Sequence, residues 1–220
     1  MKDLAEIGVS AVALTGGEPF LREDIFDIIE KIMECSMGLQ INTNATLMTE
    51  EVAKKLSTLP RPPSIIVGLD GASSETHDQL RGEGTFEKTI RGLTILQKYG
   101  VPFKVFTVLT KYNCHEFEEI LLLAKQVGAY QIDITFVVGT GRAHCYSPEF
   151  YFPNEERADI FEEVESLSHK YSGFVGGACL QQAQRVRASR EGVDMYYPQS
   201  GKLFSCGAGV MGCTIQPKEI

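Results

Sequence analysis

Five short apolar runs, each followed by an amphipathic stretch, constrain this chain more than any other feature. The runs are Val9–Leu14, Leu39–Thr43, Ile65–Leu69, Phe103–Leu109 and Gln131–Val138, and they are rich in Val, Ile and Phe. Their starts lie roughly thirty residues apart, which suits successive βαβ units joined by helical crossovers. Between them, Ile25, Ile28, Ile29, Ile32 and Met33 fall on one helical stripe. Phe86, Ile90, Leu93 and Leu96 form a second, and Phe117, Ile120, Leu121, Ala124 and Val127 a third. Thr49 before Glu50 and Glu51 predicts a capped helix start. Gly100 and Gly128 predict two glycine-terminated helix ends. Near-continuous apolar strands alternating with helices predict a parallel sheet covered by helices, either doubly wound or an α/β barrel. A dinucleotide-binding sheet needs G-x-G-x-x-G after its first strand. The nearest match, Gly139 to His144, lacks the third glycine and follows the last strand. One more helix is expected over about Asn154 to Tyr171, and beyond Gly173 the sequence turns glycine-rich and less periodic.

Charge and cysteine usage narrow the partners. The 220 residues suffice for one large domain or a domain with an appendage. Lys and Arg total 21 against 29 Asp and Glu, a net charge of −8. That balance argues against nucleic acid, which needs a basic face, and against an anionic membrane surface. No apolar run reaches the length of a membrane span, and the N-terminus has no signal-peptide core. A cytoplasmic protein is the expectation. Cysteines stand at Cys35, Cys114, Cys145, Cys179, Cys206 and Cys213 with no C-x-x-C among them, so neither a zinc knuckle nor a thioredoxin motif is present.

In parallel α/β folds ligands collect at the C-terminal ends of the strands. Here those ends read Thr15-Gly16-Gly17-Glu18-Pro19, Asn42-Thr43-Asn44-Ala45, Asp70-Gly71, Thr110-Lys111-Tyr112-Asn113 and Gly139-Thr140-Gly141-Arg142. His77, Asp78 and Arg81 follow the third. Turns explain the Gly and Asn. They do not demand a Glu, an Asp and an Arg on one rim, which suits a polar ligand of mixed charge. Glycines let its atoms approach the backbone, and an Arg can clamp a carboxylate.

The segments "LTGGEPFLRED", "INTNATLMTEE", "GLDGASSETHDQLRGEGTFEKTIRGL" and "VVGTGRA" stand in the order and spacing of radical S-adenosylmethionine (SAM) enzymes. The chain most resembles the branch with a SPASM extension, which holds auxiliary iron–sulfur clusters. The likeness covers Leu4 to about Tyr171 and, weakly, the tail. It implies an α/β fold: an incomplete parallel (β/α)6-type radical SAM barrel with a short, truncated C-terminal extension. Residues 1–172 would be the partial core domain, and residues 173–220 a connection and the start of the extension.

The resemblance also implies roles. Gly16, Gly17, Glu18 and Pro19 match the motif that binds the amino group of SAM's methionine, largely through backbone. Thr43 and Asn44 match T-N-G, here T-N-A, beside the cofactor. Asp70 and Gly71 match the end of S-L-D-G, whose Ser is Gly68 here. His77, Asp78, Arg81 and Gly82 match H-D and R-G, with Arg81 on the SAM carboxylate. Gly139, Gly141, Arg142 and Ala143 match the segment near ribose and adenine. His77 takes a structural or cofactor-side role rather than that of a general base, and no catalytic residue is assigned.

In such enzymes a C-x3-C-x2-C loop holds a [4Fe–4S] cluster that chelates SAM. An electron donor reduces it, the sulfonium is cleaved, and a 5′-deoxyadenosyl radical takes hydrogen from a peptide or small-molecule substrate. No C-x3-C-x2-C occurs in this sequence. The expectation is therefore a fragment of a longer oxidoreductase or maturase that acts on a peptide or a tetrapyrrole, and inactive by itself. Its first barrel strand and cluster loop would lie outside the chain. Cys206 matches the first SPASM cysteine and is the candidate ligand of an auxiliary cluster. The alternative is a cluster-less half-barrel that binds SAM or a partner. Without the first barrel strand, Val9–Leu14 would be an apolar sheet edge, which pairs readily with other chains. Expressed alone, the chain is expected to self-associate. Sedimentation of a clean monomer at high protein concentration would contradict this.

Overall fold

Runs of β-branched and aromatic residues favour extended backbone, and the intervening 3.6-residue stripes favour helix. In the computed structural model, which describes residues 1–136, 152 and 154–176, the two alternate. The strands are β1 (Ala11–Leu14), β2 (Gly38–Thr43), β3 (Ser64–Gly68), β4 (Phe103–Leu109), β5 (Ile132–Phe136) and β6 (Val175–Gly176). They form one sheet in chain order, and every neighbouring pair is parallel. The helices are α1 (Lys2–Glu6), α2 (Ile25–Glu34), α3 (Glu50–Ser57), α4 (Ser74–Arg81), α5 (Thr85–Lys98), α6 (Phe117–Gln126) and α7 (Asn154–Lys170). The expected α/β architecture is thus present.

Register decides which side chains form the core. Leu14 lies beside Ile41, Ile41 beside Ile65, and Ile65 beside Phe103. Ile41, Val67, Phe103, Val105, Ile132 and Ile134 are buried and pack with Ile29 and Ile32 of α2, Leu93 and Leu96 of α5, and Ile120 and Leu121 of α6. The alternate residues stay half-exposed on the opposite, inner face. They include Gln40, Asn42, Ser64, Gly68, Lys104 and Asp133. The strands therefore carry a period of two that the apolar runs conceal.

Several local expectations hold. Thr49 Oγ1 accepts from Val52 N at 3.2 Å and caps α3. Gly100 and Gly128 take φ of 64° and 87° at the ends of α5 and α6. Three elements carry no such local signal, the five-residue α1 among them. The α4 helix, SETHDQLR, is polar but for Leu80, so it offers no apolar stripe, and Ser73 caps it. The β6 strand is only two residues long, and Val175 pairs with Ile132 beyond residue 172. Among the described residues no helix is long and apolar enough to cross a membrane.

One close approach locks α5 to the end of β2. Gly92 is buried in α5, and a Cβ added there would lie 2.2 Å from the Ala45 carbonyl oxygen. Ala normally stabilises a helix interior by about 1 kcal/mol over Gly. Here Gly92→Ala is expected to destabilise the protein by about 1–3 kcal/mol, because backbone must move. Urea midpoints of the two proteins check the inverted sign.

Candidate functional site

The ends of parallel strands leave backbone N–H groups without ladder partners, and buried ones need acceptors. Side chains of the rim supply them. Glu18 Oε1 accepts from Thr43 Oγ1 at 2.7 Å and from Phe20 N at 3.3 Å, and Oε2 accepts from Asn44 N at 2.8 Å. The carboxylate thus ties the Gly16–Pro19 turn to the end of β2. Pro19, which is buried, opens a short 3-10 turn over Pro19–Leu21. Thr43 Oγ1 in turn accepts from Ala45 N at 2.9 Å. Ala45 has a φ of 57°, the left-handed conformation that glycine would take more readily. Asn44 Oδ1 accepts from Thr46 N at 2.9 Å, and the Asn44 carbonyl accepts from Thr89 Oγ1 at 2.9 Å.

Asp70 is buried, with 4% exposure. Its Oδ1 accepts from Val108 N at 2.8 Å and its Oδ2 from Arg81 Nε at 2.5 Å. Both oxygens are therefore engaged within the protein. His77 and Arg81 lie four residues apart in α4 and so share a face, and both reach Asp70. His77 Nδ1 accepts from Asp70 N at 3.2 Å. Gly71 is required beneath α4, because a Cβ there would lie 2.4 Å from His77 N. Asp78 faces the other way and accepts from Gly84 N at 2.7 Å and Phe86 N at 2.8 Å, fastening the start of α5.

Gly68 explains how Arg81 reaches the inner face. A Cβ at Gly68 would lie 2.6 Å from Arg81 Nη2 and 2.9 Å from Cζ, so the guanidinium rests on bare strand backbone. Its Nε is held by Asp70, and its two terminal nitrogens have no hydrogen-bond partner among the described residues. They line an open cavity of about 550 Å³ with Thr15, Gly16, Gly17, Asn42, Thr43 and Asn44. Gly16 has a φ of 139°, and Cβ atoms placed at Gly16 or Gly17 would meet nothing within 4 Å. Bare backbone and a free cationic fork therefore border one cavity. Such a pair suits a ligand with an amino group and a carboxylate.

Sequence reasoning under-read two rim residues and one inner-face pair. Asn113 is fully buried: Oδ1 accepts from Thr110 N at 2.7 Å, and Nδ2 donates to the Asp70 and Val108 carbonyls at 2.9 and 2.8 Å. Glu116 accepts from Ala72 N at 3.0 Å and from Thr76 Oγ1 at 2.6 Å. Lys104 and Asp133 form an ion pair on the inner face. For Lys104 and Asp133, a polar residue at an alternate position of an otherwise apolar strand was the available signal. Gly139, Gly141, Arg142, Ala143 and Cys206 lie outside the described residues.

The described residues offer no donor set for a metal cluster. Among the described residues no group of three or more His, Cys, Asp or Glu is placed to hold a metal. Cys35 and Cys114 stand outside the cavity lining.

Burial, the largest influence, holds the His77 imidazole below its ordinary value near 6.5; Asp70 pulls it up and Arg81 pushes it down. The folded state thus keeps His77 neutral where an unfolded chain would protonate it. The stability it contributes is complete above about pH 6.5 and is lost as pH falls below that value. Between pH 7.5 and 5.5 the urea midpoint is expected to fall further in the wild type than in His77→Asn. Equal falls in the two proteins would refute the assignment.

Comparison with known proteins adds an independent line. The sequence model of the Radical SAM superfamily matches residues 1–124. The AdoMet-dependent heme synthase of Methanosarcina barkeri (strain Fusaro / DSM 804) is 38% identical over 215 residues, covering 96% of this chain and 59% of that protein. The mycofactocin maturase MftC of Mycolicibacterium smegmatis is 29% identical over 224 residues, covering 98% of this chain and 52% of its own length. The chain thus spans between about half and three-fifths of the length of these relatives. Among solved structures, Streptococcus suis SuiB bound to S-adenosylmethionine superimposes with a TM-score of 0.65 at 16% identity, over 80% of this chain and 39% of that one. Native anSMEcpe with bound AdoMet gives 0.63 at 20% identity, over 80% and 52%. At these identities the structures speak to the fold.

Proposed function

This chain belongs to the radical SAM superfamily, and we propose that its cavity cradles the methionine end of SAM in a hydrogen-abstracting oxidoreductase or maturase. The observation that carries the reading is the meeting of bare Gly16–Gly17 backbone and the free Arg81 fork on one cavity. Gly16 and Gly17 would take the amino group through backbone, with Thr43 and Asn44 beside it. Arg81 would take the carboxylate. Glu18 and Asp70 act as positioning residues, since their oxygens already hold Asn44 N, Val108 N and Arg81 Nε. Gly139 and Gly141 are assigned to the ribose and adenine end on the resemblance alone, and Cys206 to an auxiliary cluster on the same ground.

At a reduced [4Fe–4S] cluster, SAM supplies one-electron chemistry that takes a hydrogen atom from a substrate. The sequence carries no C-x3-C-x2-C to hold that cluster, so these 220 residues alone are expected not to cleave SAM. An electron donor and a peptide or tetrapyrrole substrate complete the reading. It takes residues 1–172 as core and 173–220 as connection and extension, although Val175–Gly176 still pairs with the core sheet. The second reading, a half-barrel that binds SAM or a partner without a cluster, rests on the absence of C-x3-C-x2-C.

Calorimetry with SAM tests the cradle. Weak binding is expected, and Arg81→Gln should weaken it by roughly tenfold, the loss of one charge-assisted contact. No binding at millimolar SAM would overturn the cradle. Stoichiometric cluster and SAM cleavage after anaerobic iron–sulfide reconstitution would overturn the inactivity of the chain alone.

A further inference from the structure

The inner face carries a second cation that the SAM reading leaves unused. Lys104 of β4 donates to Asp133 of β5, and their side chains are 20% and 14% exposed. The register sets Asp133 beside Phe106 and Gly176, and sets Lys104 beside Ile66. On the β6 side the backbone closes in: a Cβ at Gly176 would lie 2.9 Å from Asp133 Oδ1. Asp133 is thus walled by β6 on one side and holds Lys104 on the other.

An ammonium has three donors. One goes to Asp133, and Lys104 lines the same cavity as Arg81. In the row of Lys104 and Ile66 stands Asn42, whose Oδ1 accepts from Gln40 Nε2 at 3.0 Å. Its own amide N–H groups have no partner among the described residues. Ile66 lies between these donors, Phe106 stands in the next row between Gly68 and Asp133, and the two give the floor an apolar surface. A half-buried ion pair is a poor way to stabilise a sheet face, since desolvating two charges offsets their attraction. The pair repeats the plan of Asp70 and Arg81, in which an aspartate holds a cation whose remaining donors face the cavity. Surplus donors on a charged group call for an anionic acceptor.

We infer that Lys104 anchors a carboxylate of the second ligand of this cavity, the substrate, carried on an apolar body that lies on Ile66 and Phe106. Asp133 is the positioning residue. The inference rests on the SAM reading only for naming this ligand the substrate.

The probe is 4-phenylbutyrate, titrated onto the 220-residue chain by calorimetry with 4-phenylbutanamide as the uncharged control. The acid is expected to bind saturably and roughly tenfold tighter than the amide. The paired variant Lys104→Met/Asp133→Asn leaves no buried charge alone and removes that preference, while Lys104→Arg keeps most of it. Thermal melts confirm that each variant is folded, and the paired variant carries the test if Lys104→Met alone does not fold. No binding of the acid, equal binding of acid and amide, or an acid preference that survives in the paired variant would overturn the anchor. So would a preference lost in Arg81→Gln instead. SAM titrated onto the same proteins separates the two readings. SAM binding without an acid preference sinks only the anchor, and an acid preference without SAM binding sinks only the cradle.

Discussion

Asp70 accepting at once from Val108 N and Arg81 Nε is the interaction on which the rest of the rim depends. One oxygen secures the last turn of β4 to the end of β3. The other points the guanidinium across Gly68 into the cavity. With 4% exposure, the carboxylate has no water to replace either donor. Removing it would leave a buried N–H and a cation without an acceptor, and such groups cost more than an ordinary hydrogen bond contributes. The same device recurs around the sheet. Glu18 holds Asn44 N, Glu116 holds Ala72 N, and Asn113 holds Thr110 N. The ends of β2, β3 and β4 are each fastened by a side chain that accepts from backbone.

This arrangement separates two tasks that the motif residues share. The acidic members, Glu18 and Asp70, are occupied inside the protein and shape the rim. The members that face the cavity are glycine backbone and cations. At the rim a ligand therefore meets glycine backbone and a guanidinium rather than the Glu18 and Asp70 carboxylates, although both stand side by side in sequence. The inner face continues the pattern downward, where Asp133 holds Lys104 as Asp70 holds Arg81. The outer face is different in kind. Ile41, Ile65, Phe103 and Ile134 are fully or almost fully buried there against the helices, and apolar burial on that face supplies most of the driving force for folding.

Much of this was legible in the residues. Among the described residues, the apolar runs and stripes and the Thr49 cap located five of the six strands and five of the seven helices, because burial against helices imposes a period that sequence displays directly. The Thr49 cap and the glycine stops were legible because their physics is local. The α4 helix was not, since SETHDQLR has no apolar face and is held by Ser73 and by contacts of His77 and Arg81 with Asp70. The β6 strand was not, since two residues carry no periodicity. At the site, the strand-end motifs named Gly16, Gly17, Glu18, Asp70 and Arg81 as a group. Which of them face inward was beyond sequence, because a carboxylate can serve a ligand or a neighbouring backbone equally well until the loops are placed.

The sequence by itself determined the alternation of strands and helices, the membership in the radical SAM superfamily and the set of residues gathered at the strand ends. Those follow from local propensity, burial period and motif order, which neighbouring residues specify among themselves. The tertiary structure alone decided that Gly68 is the floor under Arg81, that Gly92 admits the Ala45 carbonyl, and that Lys104 meets Asp133 on the inner face. Each of these joins residues from different strands or loops, at distances set by register and helix packing. Chain neighbours carry no information about such meetings until the sheet has brought them together.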